Sequence, residues 1–197
     1  MWQAGGNSLL CSLALVLFGS NEDSVWGNAG ETVQKASLAV ETLAIHGLRL
    51  SAFYRTPAFP EGSGPPFVNA AAAFETTLSA PELLVVLHEI EREAGRHRTQ
   101  RWGVRTLDLD LIALDDLVLP DAATHAAWRN LPLAEQMKTA PHELILPHPR
   151  MAERPFVLIP LNDVAPDWRH PVLGQSVAEM VAALSEAEKA PIVRLPT

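Results

Sequence analysis

The apolar and polar positions of this chain change period several times, and each change marks an element. Residues 11–18 are almost wholly apolar and stop at Gly19-Ser20-Asn21, the pattern of a short buried strand ended by turn residues. Residues 31–45 place Val33, Ala36, Val40, Leu43 and Ala44 near helical spacing, which predicts a helix. Two further strands are expected at 48–54 and 67–76. The segment between them, 56–66, is too rich in proline and glycine for regular structure and is a candidate lid or binding loop. Ser79 as cap and Pro81 in the first turn open a second helix with Leu83, Leu84, Leu87, Ile90 and Ala94 on one face, closed by Gly95. Residues 106–114 then alternate Leu107, Leu109 and Leu111 against Thr106, Asp108 and Asp110, the period of a half-buried strand. Strand, helix, strand, strand, helix, strand is the order of a split α+β sandwich, an antiparallel sheet with helices expected on one face.

The pattern weakens after residue 114. Pro120, Pro132 and Pro141 interrupt a stretch whose one helical candidate is 122–129, so 118–145 reads as an insertion. A last helix or strand edge is expected at 151–161 and a C-terminal helix at 176–184. Nothing else breaks the hydrophobic patterning, and 197 residues suit a single domain, 1–197, with residues 1–12 as an atypical N-terminal extension.

Composition narrows the classes. With 48% apolar and 19% charged residues the chain reads as globular, and a net charge of -8 argues against a general nucleic-acid binder. The single cysteine, Cys11, leaves no internal disulfide or cysteine metal cage, fits a reducing cytoplasm and is expected in the core. The run 9–18 lacks the basic start and the cleavage site of a signal peptide and is too short to span a membrane, so no membrane partner is expected. A monomer is expected.

One feature runs against the acidic balance. Arg92, Arg96, Arg98, Arg101 and Arg105 fall in one short stretch, directly before Asp108 and Asp110. Residues two apart on a strand point the same way, so the two carboxylates share a face and repel each other unless a cation lies between them. Magnesium, which accepts one or two carboxylates together with phosphate oxygens, suits that position. Guanidinium forks match phosphate oxygens bidentately, so the arginines supply the other half of a polyphosphate site. An Asp-x-Asp pair alone is more often a solvated face; joined to Arg-Trp-Gly-x-Arg-Thr it is a sharper signal. No P-loop motif is present.

Residues 101–110 resemble the signature of the hydroxymethyldihydropterin pyrophosphokinases, and five other segments match in order: Phe18-Gly19-Ser20-Asn21, residues 51–57, Pro65-Pro66-Phe67-Val68-Asn69-Ala70, Ile90-Glu91 with Gly95-Arg96-x-Arg98, and residues 147–151 with Arg154-Pro155-Phe156. The resemblance implies a ferredoxin-like fold and the transfer of pyrophosphate from MgATP to 6-hydroxymethyl-7,8-dihydropterin, giving AMP and the pterin diphosphate. It implies that Asp108 and Asp110 bind two magnesium ions and that Arg96 and Arg105 contact phosphates. Arg98 and Arg101 would lie on a closing loop over the nucleotide, Glu91 and His148 would anchor it, and Arg150 and Arg154 would add phosphate or ribose contacts. The pterin would lie between Phe67 and Phe156, with Asn69 at its edge and backbone groups near Thr56, Pro57 and Phe59 completing its recognition. The insertion lies outside the resemblance.

Two other accounts are open at this level. A non-catalytic ferredoxin-like ligand-binding or RNA-binding module keeps the fold without turnover, but no aromatic RNA-binding signature is present. A two-metal phosphodiesterase would need more acidic or histidine ligands beside the pair, where the sequence has arginines.

Overall fold

The computed structural model describes residues 11–58, 62–96, 105–136 and 138–196. The chain runs β1 (Ser12–Ser20), α1 (Ala29–Glu41), β2 (Leu48–Leu50), β3 (Tyr54–Thr56), β4 (Phe67–Thr76), α2 (Ala80–Glu93), β5 (Asp108–Leu114), α3 (Ala122–Arg129), α4 (Leu133–Gln136), a 3-10 turn (Met151–Glu153), α5 (Pro155–Val164), α6 (Val177–Ala183), α7 (Glu186–Lys189) and β6 (Val193–Arg194). The sheet is antiparallel in the order β5-β1-β4-β3-β6, with β2 also on β4. If β2 and β3 are taken as one interrupted strand, this is the ferredoxin-like order that the element pattern predicts.

Helices cover both faces of the sheet, not one as the pattern suggests. Ala14, Val16 and Phe18 of β1 and Ala70, Ala72 and Phe74 of β4 pack with Val33, Ala36 and Val40 of α1 and Leu83, Leu87 and Ile90 of α2. Their neighbours Leu15, Leu17, Ala71 and Ala73 pack with Val157, Leu158 and Leu161 of α5 and Val177 and Met180 of α6. The two central strands are therefore buried on both sides, which is why they read as continuous apolar runs. Residues 151–161, expected as helix or strand edge, hold the 3-10 turn and most of α5, whose Val157, Leu158 and Leu161 cover this second face.

The predicted strand 48–54 is broken. Leu50 pairs with Ala72 and Tyr54 with Asn69, so three residues face two, a β-bulge. Ser51 bridges the break, since its hydroxyl accepts from Ala71 N at 2.9 Å and its own N–H donates to Ala71 O at 2.9 Å. Asp163 of α5 fixes the other side, accepting from Ala52 N at 3.1 Å and from the Tyr54 hydroxyl at 2.8 Å. Burial and that carboxylate push the Tyr54 phenol up to about 12. A second bulge lies in β5, where Val16 faces Leu111 and Leu15 faces Ala113, leaving Ile112 extra. Leu109 and Leu111 thus stay on the α1/α2 face while Ile112 and Ala113 join the other core. Cys11 is exposed at the entry to β1, not in the core, because the apolar ladder begins one residue later.

The insertion is firmly attached. Leu119 and Leu146 exchange backbone hydrogen bonds of 2.9 and 3.2 Å. The fully buried His125 ring lies 3.0 Å from Pro147 O through Nε2 and packs edge-on to His170 with centroids 6.0 Å apart. His170 accepts from Val172 N and Leu173 N at Nδ1, and burial followed by the nearby His125 lowers its pKa to about 4. The unfolded chain takes up that proton near 6.5, so His170 contributes stability that is complete above about 6.5 and is lost as the pH falls toward 4. Thermal melts should show it as a loss of stability that sets in below about pH 6.5 and approaches about 1.4 kcal/mol per pH unit near pH 5. His170→Asn, which keeps an acceptor for the two amides, should remove that share of the slope; an unchanged slope would contradict the assignment. Among the described residues no helix is long and apolar enough to cross a membrane.

Candidate active site

Asp108 and Asp110 stand at the start of β5, beside the end of β1, and their side chains project the same way, as i and i+2 on a strand must. Two cavities open on them. The larger, about 760 Å³, is walled by α2 (Leu84, His88, Glu91), Arg96, β5 and the segment 139–150. The smaller, about 250 Å³, is bounded by Thr56, Pro57, Phe67, Asn69 and Phe156. Arg105, Asp108, Asp110, His148 and Arg154 line both cavities, so the carboxylates lie at their junction.

Local sequence explains how these groups are held. Asn21, at the end of β1, accepts from Arg105 N at 2.8 Å, donates its backbone N–H to Arg105 O at 3.1 Å, and donates through Nδ2 to Pro65 O at 3.0 Å. One side chain thus ties the strand carrying the aspartates to the end of the 57–66 loop. Sequence reasoning placed Asn21 in a matching segment but gave it no role; a turn-ending Asn beside a predicted site was the available signal. Ser20 adds a 2.6 Å bond from its hydroxyl to Thr106 O.

Asp108 is paired with Arg105 and with Arg96, the latter at 2.7 Å. Burial and then the like charge of Asp110 push the Asp108 carboxyl up, against the pull of Arg105 and Arg96. Two such carboxylates facing solvent-filled cavities form a hard-oxygen donor pair that suits a divalent cation completed by phosphate oxygens and water. Among the described residues no cluster of three or more acidic, histidine or cysteine ligands exists, so substrate and solvent would have to complete the coordination.

Glu91 is not a solvent-facing helix carboxylate. It is 2% exposed, pairs with Arg96 and accepts from Leu109 N at 2.8 Å, so it fastens α2 to β5 and aims Arg96 at Asp108. His148 donates its backbone N–H to Ile112 O at 2.7 Å and accepts at Nδ1 from Arg150 N at 3.2 Å. Burial, followed by the charge of Arg154, lowers its pKa to about 3. The ring is therefore neutral and, with Nδ1 accepting, offers an Nε2–H donor. Arg150 directs its guanidinium to the insertion, donating to Arg129 O at 3.2 Å and Leu131 O at 3.4 Å, and pairs with Glu153 at 3.3 Å. Nη1 is thus engaged with the insertion and Nη2 with Glu153, and the residue also borders the larger cavity. Arg154 lies over the Phe156 ring, 5.7 Å from its centroid.

In the smaller cavity Asn69 donates from Nδ2 to Thr56 Oγ1 at 2.7 Å. Gly19 lies beneath it: a Cβ there would come within 2.9 Å of Asn69 Oδ1 and 3.6 Å of the Phe67 ring. Phe67 and Phe156 are both half-buried and border the same cavity. Phe59, Arg98 and Arg101 lie outside the described residues, as does most of the expected 96–101 closing loop.

A ferredoxin-like sheet carrying an acidic pair at the junction of a large, arginine-bordered cavity and a small, phenyl-bordered one suits the class of group-transfer enzymes that bring two ligands together at a carboxylate pair. Residues 15–166 match the family model described as 7,8-dihydro-6-hydroxymethylpterin-pyrophosphokinase (HPPK). A 2-amino-4-hydroxy-6-hydroxymethyldihydropteridine pyrophosphokinase of Synechocystis sp. is 37% identical over 162 residues, covering 79% of this chain and 71% of the relative. The enzyme of that name from Pseudomonas aeruginosa is 38% identical over 154 residues, covering 78% and 82%. A solved Plasmodium falciparum HPPK-DHPS shares the fold with a TM-score of 0.57 at 14% identity, over 88% of this chain and 44% of that longer one. The chain belongs to the 7,8-dihydro-6-hydroxymethylpterin-pyrophosphokinase family.

Proposed function

We propose that the larger cavity takes MgATP, the smaller takes 6-hydroxymethyl-7,8-dihydropterin, and the pyrophosphoryl group passes between them at Asp108 and Asp110. The family's reaction is pyrophosphoryl transfer to hydroxymethyldihydropterin in folate biosynthesis. The observation that carries the two-site assignment is the shared wall: the same five side chains border both cavities. An acceptor hydroxyl in the small cavity and a phosphate chain in the large one would meet nowhere else.

The donor set around the aspartates suits two magnesium ions, held by Asp108 and Asp110 and completed by phosphate oxygens. When bound they would neutralise the charge that spreads over the transferred phosphates. Loading the pair would compete with the arginines for Asp108, releasing Arg96 and Arg105 toward phosphate oxygens. Arg154, over the Phe156 ring and on the border of both cavities, would hold the transferred group at the junction. The neutral His148 offers an Nε2–H donor at the junction and would orient substrate there. Catalysis is then mainly positioning and charge neutralisation. In the small cavity Phe67 and Phe156 offer apolar faces to a flat ring, and the Asn69 amide and Thr56 hydroxyl read its edge.

Gly19→Ala tests the small cavity by itself. The added methyl displaces Asn69 Oδ1, and Asn69 is buried and tied to Thr56, so pterin recognition should weaken by at least about tenfold while ATP binding changes little. Binding titrations with each substrate separately measure this; equal loss for both would show a general collapse of the site.

The reaction is tested by incubating the protein with MgATP and 6-hydroxymethyl-7,8-dihydropterin and identifying the nucleotide formed. AMP appearing only when the pterin is present supports the assignment. ADP, or no turnover, overturns it.

A further inference from the structure

The lining of the large cavity divides in two. Arg105, Asp108, Asp110, His148 and Arg154 also border the small cavity and so mark the charged end; Leu84, Trp128, Pro141, Leu144 and Ile145, with His142 and Glu143 among them, border the large cavity alone. ATP has the same polarity. If the reacting phosphorus lies where the cavities meet, the triphosphate occupies the charged end and the nucleoside must extend toward the other. Part of that wall comes from the 118–145 insertion, which carries none of the short matching motifs although the family match runs through it.

We propose that the insertion is a nucleoside wall of the ATP cavity and that Trp128 is its contact residue, a specificity and affinity determinant for the purine nucleoside half of the nucleotide. The proposal rests on the assignment of ATP to this cavity. Trp128 lies on α3, where the side chain buried in the core is His125, and the indole is half-buried on the cavity border. A large aromatic left partly open beside a polar site is available to a flat base or the apolar face of a ribose.

Its position is set from both sides. Three residues before it, His125 contacts Pro147 O at 3.0 Å; one and three residues after it, Arg129 O and Leu131 O accept from Arg150. These anchors are to the segment that carries His148, so the helix bearing the indole is tied to the chain bearing the neutral imidazole. Arg150 therefore acts through the insertion as a positioning residue, its Nη1 bonded to the carbonyls on either side of residue 130. Asp121 caps α3 by accepting from Ala123 N and Thr124 N, both at 2.9 Å, so the helix does not depend on bound nucleotide for its start.

Calorimetric titration of the full chain with MgATP and, separately, with magnesium tripolyphosphate tests the idea. Trp128→Ala should weaken MgATP by about tenfold and leave tripolyphosphate within about twofold, because the lost contact is to the nucleoside. Trp128→Phe, which keeps an aromatic face and the fold, should recover most of the ATP affinity. Equal weakening toward both ligands, or unchanged ATP affinity in both variants, overturns the proposal. Failure of the unaltered chain to bind MgATP at all would instead remove the cavity assignment, and this proposal with it.

Discussion

Replacing Asp108 or Asp110 by alanine is expected to lower AMP formation by at least about a hundredfold, a few kcal/mol of transition-state stabilisation, with the fold intact. Both carboxylates lie where the two cavities meet, so each is lost from donor and acceptor sites at once. The fold survives because neither holds a core together: burial and mutual repulsion make the charged form of Asp108 unfavourable in the folded chain. Its partners Arg96 and Arg105, with side chains 15% and 29% exposed, can turn to solvent. Asp→Asn at either position should lose nearly as much rate, since it keeps the shape and removes the negative charge a cation needs. The magnesium concentration for half-maximal rate should rise in any variant with residual activity. Turnover near that of the unaltered chain, with unchanged magnesium dependence, would rule these carboxylates out of the reaction.

Glu91→Ala is expected to cost about 3 kcal/mol of stability and to impair catalysis as well. The carboxylate is buried, accepts from the buried Leu109 N–H and pairs with Arg96. Alanine leaves the amide without its acceptor and Arg96 with one fewer carboxylate. For a chain of this length the loss corresponds to a fall in Tm on the order of 10 °C. Glu91→Gln separates the two roles. Its amide oxygen still accepts from Leu109 N, so most of the stability should remain, while Arg96 loses its second anion and binds Asp108 the more tightly. That variant should melt close to the unaltered chain yet show reduced kcat and a raised magnesium requirement. An alanine variant that melts like the unaltered chain would show that Glu91 is not the fastening between α2 and β5.

Much of the site was legible because its spacing is local. Asp108 and Asp110 share a strand face, as their i, i+2 spacing requires, and with Arg105 they border both cavities, while Arg96 borders the larger and Arg92 neither. Phe67 and Asn69, expected from the family resemblance, border the smaller one. Glu91 was harder: a helix carboxylate five residues from an arginine is usually on a wet face. Only the approach of β5 shows that this one is buried. Arg150 was expected, from the family resemblance, to add a phosphate or ribose contact; its bonds to the carbonyls of residues 129 and 131 were not legible, because no spacing rule brings those residues near. The break at 51–53 was hidden for the same reason, since Asp163, which stabilises it, lies 109 residues from Tyr54.

Features that depend on neighbours along the chain were legible without a fold: the apolar runs of β1 and β4, the alternation of β5, the cap that starts α2, the helix at 122–129, and the paired direction of the two carboxylates. The rest came from surfaces meeting in the folded chain. Helices on the second sheet face, the bulges that re-aim β5, the burial of Glu91 and the docking of the insertion beside the large cavity all arise because apolar faces and unpaired backbone groups must find partners far away in sequence. Hydrophobic burial has no direction of its own, so the period of a pattern shows that a face must be covered, while the packed fold alone shows what covers it.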